Sequence, residues 1–352
     1  MSTLEEVLLT RHRLSEYHVY REHAGKGHIC ITPFSDITKE PGYKKKKKTT
    51  KTELEHEPEY NPIHHKLDTN NSYFIHRPLI TSWHDPPRTL RRGDTRAGEP
   101  VCIINSAACW KEWNIQFTPD LKHIIDPRGL VRWENRSRPD NSTAHDDHAI
   151  RGFKVRSWRS WGETGKEYHR QVNARRKALH EQGRQKDEEE EHYEPVAADE
   201  AVHLTWSSPF SLKNTRRYEF EYAGIEFFWE GTRDISLQTS LDKWSRRLMP
   251  FNHLKLMARC PSTQEKKFIG QYVCSFSPLK YGRLWIFDSV IQDLLEESKE
   301  KLDPDFDVRK TRVYDLVMAT AMCMVIGEWQ KRMTVQLICI ILLQGAGVTY
   351  NS

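Results

Sequence analysis

Eleven consecutive residues near the C-terminus, Leu316 to Ile326, read Leu-Val-Met-Ala-Thr-Ala-Met-Cys-Met-Val-Ile and hold one hydroxyl and no charge. As a helix the run has no face suited to water, so it has to be wrapped on every side. At 1.5 Å per residue it is only about 16 Å long, roughly half the hydrocarbon thickness of a bilayer, which makes protein the better wrapping than lipid. The strand-like segments that precede it are the available wrapper. Leu316, Val317, Met318, Met322, Val325 and Ile326 are the residues expected at the centre of that core. Thr311 is placed to cap the helix and Asp315 to sit near the positive end of its dipole, while Glu328 to Arg332 is expected to close it with charge.

The strands show themselves by alternation. Tyr218, Phe220 and Tyr222 alternate with Glu219 and Glu221, Ala223-Gly224 turns the chain, and Ile225, Phe227 and Trp229 resume the pattern, which predicts a β-hairpin. Further strands are expected at Pro100 to Ile104, Trp113 to Phe117, Phe153 to Trp158, His253 to Arg259, Lys267 to Cys274 and Arg283 to Phe287. Asp126-Pro-Arg-Gly129 reads as a turn, with Leu130 to Trp133 returning from it. Trp110, Trp113, Trp133, Trp229 and Trp285 are candidates for filling the core. Asp288 to Lys301 reads as a helix ended by Pro304.

The rest of the chain is more polar. Of 352 residues only 37% are apolar, low for a wholly globular protein. Residues 1–82, rich in His, Lys, Thr and Pro and holding the pentalysine Lys44 to Lys48, read as a mostly disordered arm, with a short helix possible from Leu4 to Tyr20. Residues 168–200 read as an insertion, a solvated helix fraying into Asp187 to Glu191. The tail, 333–352, carries another apolar run, Val335 to Leu343, as an extra strand, a packed helix or a membrane-seeking segment. The 54 basic and 49 acidic side chains leave a formal charge of +5, which argues against a dedicated nucleic-acid binder. Seven scattered cysteines without a C-x-x-C pair indicate neither a disulfide framework nor a zinc site, and the N-terminal residues do not form a signal peptide, so an intracellular protein, cytoplasmic or nuclear, is expected.

Few residues point to chemistry. His145-Asp-Asp-His148 has donors that zinc or a harder cation accepts, but its spacing matches no metalloprotease helix and its flanks are loop-like, so no metal and no cofactor is expected. His64-His65 carries less weight. No phosphate-binding glycine loop or nucleophile elbow occurs. Arg151, Lys154, Arg156 and Arg159, interleaved with Phe153, Trp158 and Trp161, would project cations from one side of a strand, either to meet a phosphate-bearing headgroup or to form a polar outer face. The pentalysine allows a nuclear signal, a solvated arm or salt-sensitive contact with anionic lipid at about 1 kcal/mol per lysine.

The strands Arg217-Tyr-Glu-Phe-Glu-Tyr and Ile225-Glu-Phe-Phe-Trp-Glu-Gly, the strand Phe268-Ile-Gly-Gln-Tyr, and Gly282-Arg-Leu-Trp-Ile-Phe followed by Val313-Tyr-Asp-Leu-Val-Met-Ala-Thr-Ala together resemble the tubby C-terminal-like superfamily, with its LURP-one-related and phospholipid-scramblase branches, and fungal-type members in particular. The resemblance covers residues 83–332. It implies a mainly β fold: a closed antiparallel β-barrel around a buried hydrophobic C-terminal helix. It further implies a non-enzymatic binding module for anionic phospholipid or a membrane surface. The alternatives are a protein-interaction scaffold that uses the insertion and the arm, and a metal-dependent enzyme using His145, Asp146, Asp147 and His148.

Overall fold

The computed structural model describes residues 14–21, 28–36, 71–77, 87–106, 111–126, 128–132, 147–153, 162–181, 196–206, 217–232, 253–260, 264–275, 279–297 and 307–345. Among them twelve strands form one closed antiparallel barrel: β1 (Leu14–Arg21), β2 (Ile29–Thr32), β3 (Tyr73–His76), β4 (Arg88–Arg92), β5 (Glu99–Ser106), β6 (Glu112–Phe117), β7 (Glu200–Trp206), β8 (Arg217–Tyr222), β9 (Ile225–Thr232), β10 (His253–Arg259), β11 (Lys266–Cys274) and β12 (Lys280–Phe287). Each strand lies beside the next in sequence. The ring closes where β1 pairs with both β2 and β12, Tyr17 opposite Leu284 and Val19 opposite Ile31. Closure leaves no unpaired sheet edge to recruit a second chain. The helices are α1 (Leu121–Ile124), α2 (Gly162–Glu181), α3 (Asp288–Glu297) and α4 (Arg312–Gly345).

Period-two alternation sets the inner surface. Across adjacent strands Ile104 faces Ile115, Ile115 faces Val202, Phe220 faces Phe227 and Trp229 faces Leu256. The Phe220 and Phe227 rings stack at 4.9 Å. The β8–β9 hairpin is the one its sequence predicts. Ala223 and Gly224 both have positive φ, 52° and 73°, as a two-residue type I′ turn requires, and only Gly takes the second without a steric penalty.

On α4 every residue from Val313 to Ile326 is buried, and all but the polar Asp315 and Thr320 join the inward strand side chains in one hydrophobic cluster. The Thr311 hydroxyl accepts the Tyr314 amide N–H at 3.2 Å, capping the helix. Glu328 to Arg332 does not end the helix. It continues to Gly345, so the tail run is part of α4.

Three strands lie within 1–82, the stretch expected to be a disordered arm, and the helix expected up to Tyr20 is replaced by β1 over Leu14–Arg21. The reason is chemical. Ser15 and Tyr17 alternate with Val19 toward the interior, and their hydroxyls are satisfied there: Ser15 donates to Asp288 Oδ2 at 2.7 Å, and the Tyr17 and Tyr314 hydroxyls share a bond of 3.0 Å. The barrel therefore runs over 14–287 rather than starting near 83. Leu130 to Trp133 forms no strand within the described residues. Val131 and Arg132 make isolated bridges to Ile125 and Phe153 on the outside of the barrel. The helix after Asp288 is described to Glu297. In the insertion, α2 spans 162–181 and is largely solvent-exposed, while 187–191 lie outside the described residues, as do the pentalysine, His64 and His65.

Candidate functional site

The basic residues expected to act together fall unequally. Arg151 is exposed on an irregular segment outside the barrel, and Lys154, Arg156 and Arg159 lie outside the described residues. Ile150, beside Arg151, packs with Ile103, Leu121, Ile124, Ile125 and Val131 in a second cluster, a cap on the outer wall over β5. Phe153 is tied to that cap where its amide donates to the Val131 carbonyl at 2.9 Å. Of the metal-capable run, Asp147 Oδ2 pairs with His203 Nε2 at 3.1 Å and His148 Nδ1 meets the Ala198 carbonyl at 2.8 Å, while His145 and Asp146 lie outside the described residues. Trp113 and Trp229 are interior, and Trp285 packs outside the barrel on Val273 and Leu14. Trp110 and Trp133 are not among the described residues. Leu316, Val317, Met318, Met322, Val325 and Ile326 are all buried.

The same outer cap borders a crevice that sequence reasoning missed. On β4, Leu90 and Arg92 point inward, which turns Thr89 and Arg91 toward the cap. The Thr89 hydroxyl donates to the Gly129 carbonyl at 3.1 Å, and Arg91 donates through one terminal nitrogen to the Gly98 carbonyl at 3.0 Å. Arg91 is 9% exposed, and its Nε is buried without a hydrogen-bond partner among the described residues. Burial lowers its pKa, against the opposing pull of Asp126.

That carboxylate is already engaged. Asp126 Oδ2 accepts from Arg128 Nε at 2.9 Å and from its terminal nitrogen at 2.6 Å, and Oδ1 accepts the Arg128 backbone N–H at 2.7 Å. Burial outweighs these bonds and holds the Asp126 carboxyl above the ordinary carboxylate range. Among the described residues Arg91 therefore has no carboxylate of its own. It borders a cavity of about 240 Å³ with Gly98, Glu99, Pro100, Lys122 and Ile125. Two cations against one exposed carboxylate, with a buried guanidinium short of acceptors, make a site suited to a small oxyanion. The signal in the sequence is Arg88-Thr-Leu-Arg-Arg92, whose central Leu fixes which arginines face in and which face out.

The inward arginines are structural. Arg92 reaches Asp315 Oδ1 at 2.5 Å, and the Tyr73 hydroxyl donates to the same oxygen at 3.0 Å. Asp288 receives Ser15, Arg309 Nε at 3.0 Å and the Tyr314 hydroxyl at 3.3 Å. Burial holds both carboxyls above their ordinary range despite these partners. The two clusters anchor the start of α4 to β1, β3 and β4.

Among the described residues no group of three or more His, Cys, Asp or Glu side chains could hold a metal ion, and no helix is long and apolar enough to cross a membrane. Comparison with family models, curated proteins and solved structures returns no match.

Proposed function

We propose that this chain is a tubby-like barrel closed around its C-terminal helix, acting without catalysis as a binding module for phosphate-bearing headgroups at an anionic membrane surface. The observation that carries the reading is the Arg91 crevice, where a buried guanidinium has an Nε without a hydrogen-bond partner among the described residues and Lys122 stands at the rim. Arg151 is exposed next to Ile150 of the outer cap, and Lys154, Arg156 and Arg159 follow it in the chain. The interior supports binding over catalysis, because strand and helix side chains pack there and leave the outer wall as the working surface.

The test is co-sedimentation of the full chain with vesicles of anionic and of neutral phospholipid at low and high salt. The anionic lipid is expected to add binding that salt removes. Arg91→Gln with Lys122→Gln should cut that anionic increment roughly thirtyfold, about 1 kcal/mol for each cation near the surface. An increment unchanged in the double variant rules out the crevice. An increment lost on neutralising Arg151, Lys154, Arg156 and Arg159 alone moves the contact to that segment.

One observation favours the protein-interaction scaffold as a second reading. Helix α2 exposes nearly all its described residues and is held to the barrel side through Tyr168, whose ring lies 4.5 Å from the Arg128 guanidinium. Deleting 169–195, which leaves the cap residue Ala198 and all of β7 in place, would then abolish capture of a protein partner and leave vesicle binding unchanged.

A further inference from the structure

We propose that the end of α4 beyond Trp329 is a monotopic membrane anchor, whose apolar surface inserts into the hydrocarbon of one leaflet. This goes beyond the headgroup reading, since it requires neither anionic lipid nor any residue of the crevice. Leu337, Ile338, Ile340, Ile341 and Leu342 are 57%, 51%, 50%, 57% and 67% exposed. Large apolar side chains exposed singly are ordinary, but five within six positions form a continuous patch that water does not favour.

The shape of the patch selects its occupant. At 100° per residue the five positions sweep roughly 200° of the helix circumference. A second copy of the chain docking as a coiled-coil partner would bury a narrow a/d stripe and leave most of that arc in water. A fluid hydrocarbon phase covers an arc of any width.

Polarity along the helix agrees. No Asp, Glu, Lys or Arg occurs from Met333 to Ser352, while Lys331 and Arg332 stand immediately before the apolar stretch. Trp329 marks the boundary: its ring meets Tyr281 of β12 edge-on at 6.1 Å and lies 5.4 Å from the guanidinium of Arg21, the last residue of β1. An amphipathic ring beside a cation, followed in the chain by uncharged apolar helix, is the order found on passing from headgroups into acyl chains. Length agrees too. Met333 to Gly345 rises about 20 Å, somewhat more than the ~15 Å of hydrocarbon in one leaflet, so the segment enters obliquely and does not cross.

Flotation of the full chain with neutral phosphatidylcholine vesicles at high salt is the test, because those conditions suppress the crevice contact. The full chain is expected to float. Ile338→Glu with Ile341→Glu should reduce the partition coefficient about a hundredfold at an unchanged thermal midpoint, as both positions are exposed. Arg91→Gln with Lys122→Gln should leave neutral flotation unaltered, so failure of the headgroup reading and failure of the anchor are told apart. The anchor is overturned if the full chain stays at the bottom of the gradient, or if the glutamate pair floats as well as the parent. It is equally overturned if the parent remains a dimer in the presence of vesicles and the glutamates convert it to a monomer, which assigns the patch to a second copy.

Discussion

Asp126→Ala should lower the unfolding free energy by about 3–5 kcal/mol, the range for removing one partner of a buried ion pair. The pair is hidden on both sides, Arg128 at 3% and Asp126 at 0% side-chain exposure. Removal strands a guanidinium that is otherwise bound twice by Oδ2, and it takes from the Arg128 backbone N–H the acceptor that shapes the turn. Asp126→Asn keeps an acceptor for the backbone and should cost clearly less, so urea denaturation of the two variants separates the lost turn bond from the stranded charge. Equal losses would sink this account. The asparagine variant carries a second expectation of opposite sign. Asp126 is the carboxylate whose field partly offsets Arg91. Neutralising it should strengthen binding to anionic vesicles while stability falls, a combination that general unfolding cannot produce.

Where charge is buried determined how much of the fold was legible. The hairpin of β8 and β9, β5, β6, β10, β11 and β12 were readable because their inward positions are plainly apolar, and the run Leu316 to Ile326 because it is apolar on every side. Strand β4 was hidden for the opposite reason: Arg88 and Arg92 face inward, and a sequence pattern cannot show that Asp315, 223 residues away, accepts from one of them. The other is fully buried, with its guanidinium 5.7 Å from the Trp113 ring. Strand β1 was masked by Ser15 and Tyr17, whose partners come from the far end of the chain. Strand β7 had a usable signal in Val202-His-Leu204-Thr, and it was absorbed into the supposed insertion. The crevice was out of reach altogether, since it depends on the direction of Arg91 and on the prior engagement of Asp126 by Arg128. The tail is the reverse case. Its apolar run was evident, but only the continuation of α4 showed that these side chains face solvent.

His76 should make the barrel acid-sensitive below pH 6.5. It ends β3 on the outer wall, 5% exposed, with its ring 5.0 Å from that of His28 and its Nδ1 buried without a hydrogen-bond partner among the described residues. Burial first, then the neighbouring charges of His28, Arg91 and Arg96, lower its pKa from 6.5 to about 3. The unfolded chain therefore takes up a proton as pH falls from 6.5 that the folded chain refuses until about pH 3. Stability from this group is intact above the upper value and is lost through that window, by about 5 kcal/mol at most. Asp126, Asp288 and Asp315 act in the other direction. Their raised pKa values favour the folded state as pH drops toward 3.8, so the parent protein shows only the net slope. His76→Phe retains a ring beside Phe74 and cannot titrate. Subtracting its denaturation curve from that of the parent across this range should recover a difference that steepens below pH 6.5. A flat difference would mean that the folded protein protonates His76 as readily as the unfolded chain does. Gly129 supplies the reason it does not: with φ of +81°, it brings the turn so close that a Cβ there would lie 2.5 Å from the imidazole. The turn that Asp126 holds is thus what keeps water from His76, and Asp126→Ala should raise the pKa of His76 toward its ordinary value.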